Sequence, residues 1–143
     1  MEVQIRSQRK IPQLRNQKIR KKLKKVLEDL DLPDAELSIL LTDDATISDL
    51  NLRYLGKEGP TNVLAFPMDE GRRCGGTLML GDVVVSTDTA LKESNQTGEP
   101  PEHTIFRLLI HGVLHLLGHN HEKSLTEARR MRKEEERLLA LIL

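Results

Sequence analysis

The chain has 143 residues, balances 22 Lys and Arg against 22 Asp and Glu, and is 38% hydrophobic. These totals are typical of a soluble globular protein, and we treat residues 1–143 as one domain. No apolar run approaches the roughly 20 residues that cross a bilayer, and the first residues lack the apolar core of a signal peptide, so we expect a cytoplasmic protein without a membrane partner. Cys74 is the only cysteine, which excludes an intrachain disulfide and a thiolate metal cluster.

Positive charge is concentrated near the start of the chain. Residues 1–27 contain ten Lys and Arg side chains against Glu2 alone. Such a cluster indicates either a phosphate-binding surface or a solvated helix face, and the sequence leaves both open. If nucleic acid binds, we expect Lys21, Lys22 and Lys25 to contact the substrate.

The first half of the chain predicts strands and helices in alternation. A short edge strand at 3–7 precedes an amphipathic helix over 16–32, and a buried strand at 36–42 precedes a helix that ends near 55. Thr42 or Asp43 is the expected cap of the second helix. The inner apolar positions of the two helices are predicted to be Ile19, Leu23, Val26, Leu27 and Leu30, then Ile47, Leu50 and Leu52.

The second half begins with a strand at 61–67, a polar loop at 68–76 and a strand at 77–86 with a bulge at Gly81. Three helices follow: one over 87–96 capped by Ser86 or Thr87, a very apolar one over 102–118 that Gly118 ends, and one over 124–143. The expected fold class is α+β, with a small mixed β-sheet of about four strands packed by about five helices.

The stretch "HGVLHLLGHNH" at 111–121 crowds four of the five histidines into the end of the most apolar helix. His111 and His115 are four residues apart, so both rings emerge from one helix face. Gly118 lets the chain reverse, and His121 follows three residues later. Three imidazoles leave one tetrahedral position open, which is typical of catalytic zinc, so we predict one Zn²⁺ on His111, His115 and His121. The alternative is that the three rings are satisfied by backbone partners.

The same spacing occurs in the metzincin peptidases, H-E-x-x-H-x-x-G-x-x-H, but the position of their general-base glutamate is Gly112 here. Peptide cleavage is therefore disfavoured. Metal-centred hydrolysis of a phosphodiester suits the arrangement better. His119 and Asn120 are interpreted as turn residues, and His103 as a surface residue.

The motif resembles the H-G-x-L-H-L-x-G-(Y or F)-D-H pattern of the YbeY-type endoribonucleases. Two further stretches resemble that family: "LNLRYLGKEGPTNVLAFP" at 50–67 and "LGDVVVS" at 80–86. The resemblance implies zinc on the three histidines and single-strand-specific cleavage of RNA, in 16S rRNA 3′-end maturation and ribosome quality control. The implied partners are ribosomal RNA and the small ribosomal subunit.

Two positions depart from the family pattern. Asn120 replaces an aspartate, and Leu55 occupies the place of an arginine that the resemblance assigns to the scissile phosphate. Arg53 or Lys57, each two residues away, is our candidate for the catalytic cation. Thr61 and Asn62, with the strand after them, are expected to form the wall opposite the metal.

Two other functions remain open from the sequence. One is a zinc metallopeptidase-like hydrolase that uses the same ligands. The other is a non-catalytic ribosome-assembly factor whose zinc is structural and whose basic helix docks on RNA.

Overall fold

A mixed β-sheet forms the middle of the fold. In the computed structural model, which describes residues 2–11, 13–68, 73–74, 77–118 and 124–143, its strands are β1 (Glu2–Ser7), β2 (Ala35–Thr42), β3 (Val63–Pro67), β4 (Arg73–Cys74) and β5 (Thr77–Ser86). The order across the sheet is β1-β2-β5-β3, with β4 paired to the start of β5. Strands β1, β2 and β5 are parallel, whereas β3 is antiparallel to β5. The two residues of β4 fall in the predicted polar loop, where so short a strand leaves no alternating pattern.

Five helices lie within the described residues: α1 (Asn16–Asp29), α2 (Asp44–Leu55), α3 (Thr87–Thr97), α4 (Pro101–Leu116) and α5 (Leu125–Ile142). Together with the four principal strands they confirm the predicted α+β fold. None of these helices is long and apolar enough to span a bilayer.

Helix α4 lies at the centre of the main core, as its apolar sequence predicts. It contacts β3, β5, α1, α3 and α5. Its side chains Ile105, Phe106 and Leu109 are completely buried. They share one core cluster with alternate residues of β2 and β5, because successive side chains of a strand point to opposite faces.

Helix α2 lies on the other face of the sheet, and here one prediction is wrong. Ile47 packs against Leu64 and Val84, and Leu50 joins that small cluster. Leu52, however, is 54% exposed. Helix α2 covers only a narrow strip of the sheet, so its buried side is the line through positions 47 and 51, from which residue 52 is rotated by about 100°.

A bulge in β5 sets which residues face α4. Glu36 pairs with Met79, but its neighbour Leu37 pairs with Gly81, so one residue of β5 has no partner in β2. Gly81 has a φ of 133°, and a Cβ there would lie 2.2 Å from the Phe66 carbonyl oxygen. The predicted bulge is thus confirmed, and only glycine fits it.

Polar side chains begin the helices that follow β2 and β5. The Asp43 carboxylate accepts from the Thr46 N–H at 2.8 Å, and it caps α2. The Asp44 carboxylate accepts from the hydroxyls of Ser86 and Thr89, both at 2.6 Å. These two hydrogen bonds stabilise the ionised form and lower the pKa of Asp44. The network ties the start of α2 to the start of α3.

Candidate metal centre and cleft

Two imidazoles meet on the last turns of α4. The Nε2 atoms of His111 and His115 are 3.1 Å apart, and the ring planes are inclined at 65°. Two ligands of one tetrahedral zinc ion, each 2.0–2.1 Å from the metal, are separated by about 3.4 Å. The pair therefore fits two ligand positions of one ion. His121, His119 and Asn120 lie outside the described residues, and the residues that are described contain no cluster of three or more metal-binding side chains.

The other ring nitrogen of His111 is held by a carboxylate. Its Nδ1 is hydrogen-bonded to Oε1 of Glu135 on α5. A carboxylate accepts here, so the proton belongs on Nδ1, and the Nε2 lone pair is left to face His115. We did not anticipate Glu135, because it lies within the charged run "RRMRKEEER". The signal was its spacing, four residues after the buried Met131 and three before the buried Leu138.

Gly112 lies where α4 packs closely against β5 of the sheet. It is buried, and a Cβ added there would lie 2.5 Å from Cγ1 and 3.0 Å from Cγ2 of Val83. These distances are shorter than van der Waals contact, which begins near 3.5 Å. Any side chain at position 112, glutamate included, would thus require the helix and β5 to separate.

The imidazole pair opens into a cleft of about 610 Å³. Its walls come from α4, from β3, from the end of α2 and from the loop between α2 and β3. The lining residues are Asn51, Leu55, Lys57, Thr61, Asn62, Val63, Leu64, Ala65, Pro67, His111, Gly112 and His115. Thr61 and Asn62 thus line the same cleft as the two imidazoles.

Of the two candidate cations, the structure places only Lys57 in the cleft. Lys57 lines the cleft, whereas Arg53 is not among its lining residues and lies 3.7 Å from the carboxylate of Asp49, one turn earlier on α2. Asn51 positions the loop that carries Lys57: its carbonyl accepts from the Lys57 N–H at 3.2 Å, and its side-chain amide donates to the Gly59 carbonyl at 3.1 Å. Leu55, at the place of the family arginine, is half exposed in the cleft wall.

Strand β3 presents an open backbone edge to this cleft. The Ser86 N–H donates to the Asn62 carbonyl and the Met68 N–H to the Leu80 carbonyl, so even-numbered residues of β3 point their backbone groups at β5. Antiparallel pairs alternate, so those of Val63 and Ala65 point away. No described strand pairs with that side.

The predicted phosphate-binding lysines lie elsewhere. Lys21 and Lys25 are exposed on α1 and Lys22 is partly buried, and α1 packs against β1, α5 and the start of α4. The ion pair between Lys18 and Glu102 fixes that end of α4. His111 follows Glu102 by nine residues, or about 14 Å along the helix axis. The structure therefore does not bring these lysines into the cleft.

Asp82 faces a second cavity on the opposite side of the sheet. This space of about 680 Å³ also contains Arg6 and the edge-to-face pair of Tyr54 and Phe66. Its surroundings partly shield the carboxyl group from water and raise the pKa of Asp82. Asp82 is therefore not a member of the histidine cleft.

Imidazole nitrogens are donors that hydrolytic metal ions commonly use, and here two of them lie beside an open strand edge. Comparison with known proteins identifies the family. The model of the family described as "Endoribonuclease YbeY" matches residues 2–142. The chain belongs to this family and is, by family, an endoribonuclease.

Relatives in three bacteria align with most of the chain. The protein named Endoribonuclease YbeY of Syntrophotalea carbinolica is 41% identical over 142 residues, covering 98% of this chain and 95% of the relative. The relatives of the same name in Persephonella marina and Aquifex aeolicus are 46% and 42% identical, covering 79% and 89% of this chain and 74% and 83% of their own. The solution structure of TM1509 from Thermotoga maritima has the same fold, with a TM-score of 0.68 at 20% identity over 98% of this chain and 88% of that one.

Proposed function

We propose that this protein is a zinc-dependent endoribonuclease that cleaves single-stranded RNA, acting in 16S rRNA 3′-end maturation and ribosome quality control. The observation that carries the proposal is the pair of Nε2 atoms, 3.1 Å apart, on the wall of a cleft that faces an open strand edge. The family name supports RNA as the substrate. Ribosomal RNA and the small ribosomal subunit are the proposed partners.

One zinc ion would be held by His111, His115 and His121. When bound, zinc lowers the pKa of a water molecule and polarises a phosphate oxygen. Lys57 is the proposed cation for the scissile phosphate, because it lines the same cleft as the imidazoles. Arg53, the other candidate, pairs with Asp49 instead.

The cleft suits an extended single strand better than a duplex. The N–H groups of Val63 and Ala65 point outward and can donate to phosphate oxygens or to bases that a duplex would hide. Lys21, Lys22 and Lys25 are the proposed contacts of RNA that continues beyond the cleft, and their contribution should fall as salt rises.

The proposal is tested with RNA cleavage by the purified protein. Single-stranded RNA from the 3′ region of 16S rRNA should be cut, its duplex form should remain intact, and a chelator should stop cleavage until zinc is restored. His115→Ala should abolish cleavage, while His103→Ala on the same helix should not. Folded His115→Ala that still cleaves RNA would overturn the catalytic role of the zinc site, whereas zinc-loaded wild type that cleaves no RNA would favour the non-catalytic assembly role. Cleavage of peptide but not RNA would support the peptidase alternative.

A further inference from the structure

Glu135 joins α5 to the proposed zinc site, and none of the comparisons assigns it a role. We infer that Glu135 is a positioning residue: its carboxylate holds the His111 ring so that Nε2 is directed at the metal. The inference rests on the proposed function, because it concerns the same zinc ion.

The contact itself is the first argument. Oε1 of Glu135 is hydrogen-bonded to Nδ1 of His111, while Nε2 of the same ring faces His115. The side chains of Glu135 and His111 are only 18% and 27% exposed, so water competes weakly for the hydrogen bond. A ring held at one nitrogen can neither rotate freely nor exchange its tautomer, so its second nitrogen stays directed at His115.

The position of Glu135 on α5 is the second argument. It occupies the stripe of Met131, Leu138 and Ile142, all of which are buried. A carboxylate on an apolar stripe carries a desolvation cost unless it has a partner, and His111 is that partner. The helix is also anchored elsewhere, since the Arg137 guanidinium lies 2.7 Å from Asp29 of α1. The carboxylate is therefore presented from a fixed backbone.

Chemistry supplies the third argument. A carboxylate that accepts from the far nitrogen of a ligating histidine increases the basicity of the ligand and fixes its orientation. Loss of such a partner typically weakens metal affinity by about 10–100-fold. Glu135 acts through His111 and need not touch the substrate.

The experiment measures the zinc dissociation constant of the full-length protein by competition with a chromophoric chelator. Glu135→Ala should weaken zinc binding about 10–100-fold, and Glu135→Gln, which keeps an oxygen acceptor but not the charge, should fall between Glu135→Ala and wild type. Glu136→Gln is the matched control: it removes the same charge from the next residue, which is exposed, and its affinity should equal that of wild type. With Co²⁺ in place of zinc, the visible absorption bands should shift in Glu135→Ala and stay as in wild type in Glu136→Gln.

The outcomes separate the two proposals. Equal zinc affinity in wild type, Glu135→Gln and Glu135→Ala overturns the role of Glu135 and leaves the zinc site standing. A wild-type protein that binds no zinc overturns the proposed function together with this inference. Should Glu135→Ala fail to fold in circular dichroism, Glu135→Gln, which has nearly the same volume, gives the decisive affinity.

Discussion

Replacing Gly112 with alanine would place a methyl group between α4 and the sheet. In an ordinary helix interior this change stabilises by about 1 kcal/mol, because glycine loses more backbone freedom on folding. Here the added carbon would lie 2.5 Å from one Val83 methyl and 3.0 Å from the other. Rotation of the valine about χ1 cannot relieve both contacts, since its Cβ carries only one hydrogen and at least one methyl stays next to the added carbon.

The expected cost follows from these distances. Restoring normal contact requires a shift of about 1 Å between α4 and β5, and overpacking of this kind costs about 1–3 kcal/mol. We therefore expect Gly112→Ala to destabilise by up to about 2 kcal/mol after the helix gain is subtracted. Val83→Ala alone should cost about 2 kcal/mol from lost burial and a small cavity.

The decisive assay is a double-mutant cycle in urea, followed by circular dichroism. In the Val83→Ala background both methyl contacts are removed and only Cβ of residue 83 remains close, 3.3 Å from the added carbon, so Gly112→Ala should stabilise by somewhat less than about 1 kcal/mol. The sign of the Gly112→Ala effect thus reverses between backgrounds. An equal free-energy change in both backgrounds would refute the contact between this glycine and Val83.

Three further predictions concern the cleft and the start of α2. Lys57→Ala should lower kcat/KM for single-stranded RNA about 10–100-fold, the value of one hydrogen bond to a charged group, while Arg53→Ala should change it little; the opposite ranking would identify Arg53 as the cation. Ala65→Pro removes an outward N–H but no ladder bond, so it should raise KM for RNA while the Tm stays near that of wild type; unchanged KM would exclude the strand edge from substrate binding. Asp44 has a folded pKa below its unfolded value, so its contribution to stability is present above the unfolded pKa near 3.8 and is lost as pH falls through the folded pKa. Lowering the pH from 5 to 3 should therefore reduce the Tm of wild type more than the Tm of Asp44→Asn. Parallel Tm profiles of the two proteins against pH would contradict the hydrogen-bonded carboxylate.

Strong periodicity made most of the fold predictable. In the basic helix α1, the spacing of the apolar residues alone predicts which of them are buried. All four of Ile19, Leu23, Val26 and Leu27 are completely buried. The prediction that Leu52 is buried was wrong because the pattern shows which side of a helix is apolar, and does not show how wide a surface the sheet offers to that side. Asn51 is buried in its place, since its amide satisfies the carbonyl of Gly59.

The site was predictable to the extent that it is local in sequence. His111 and His115 are one helical turn apart, so their meeting follows from helix geometry. Glu135 comes from 24 residues further along, and such a contact depends on how α5 crosses α4. The choice between Lys57 and Arg53 likewise depends on where α2 ends, because the chain leaves the helix at Gly56 and carries Lys57 toward the cleft.

The open edge of β3 also bears on the self-association of this protein. An unpaired strand edge is a template on which another sheet can grow, and exposed edges of this kind favour aggregation. Here the edge is five residues long, ends in Pro67, and lies in a cleft whose far wall is α4. Short length, a terminal proline and cover by a neighbouring element are devices that protect a strand edge from pairing with another sheet. The edge that we propose for RNA binding is therefore protected from pairing with a second copy of this chain.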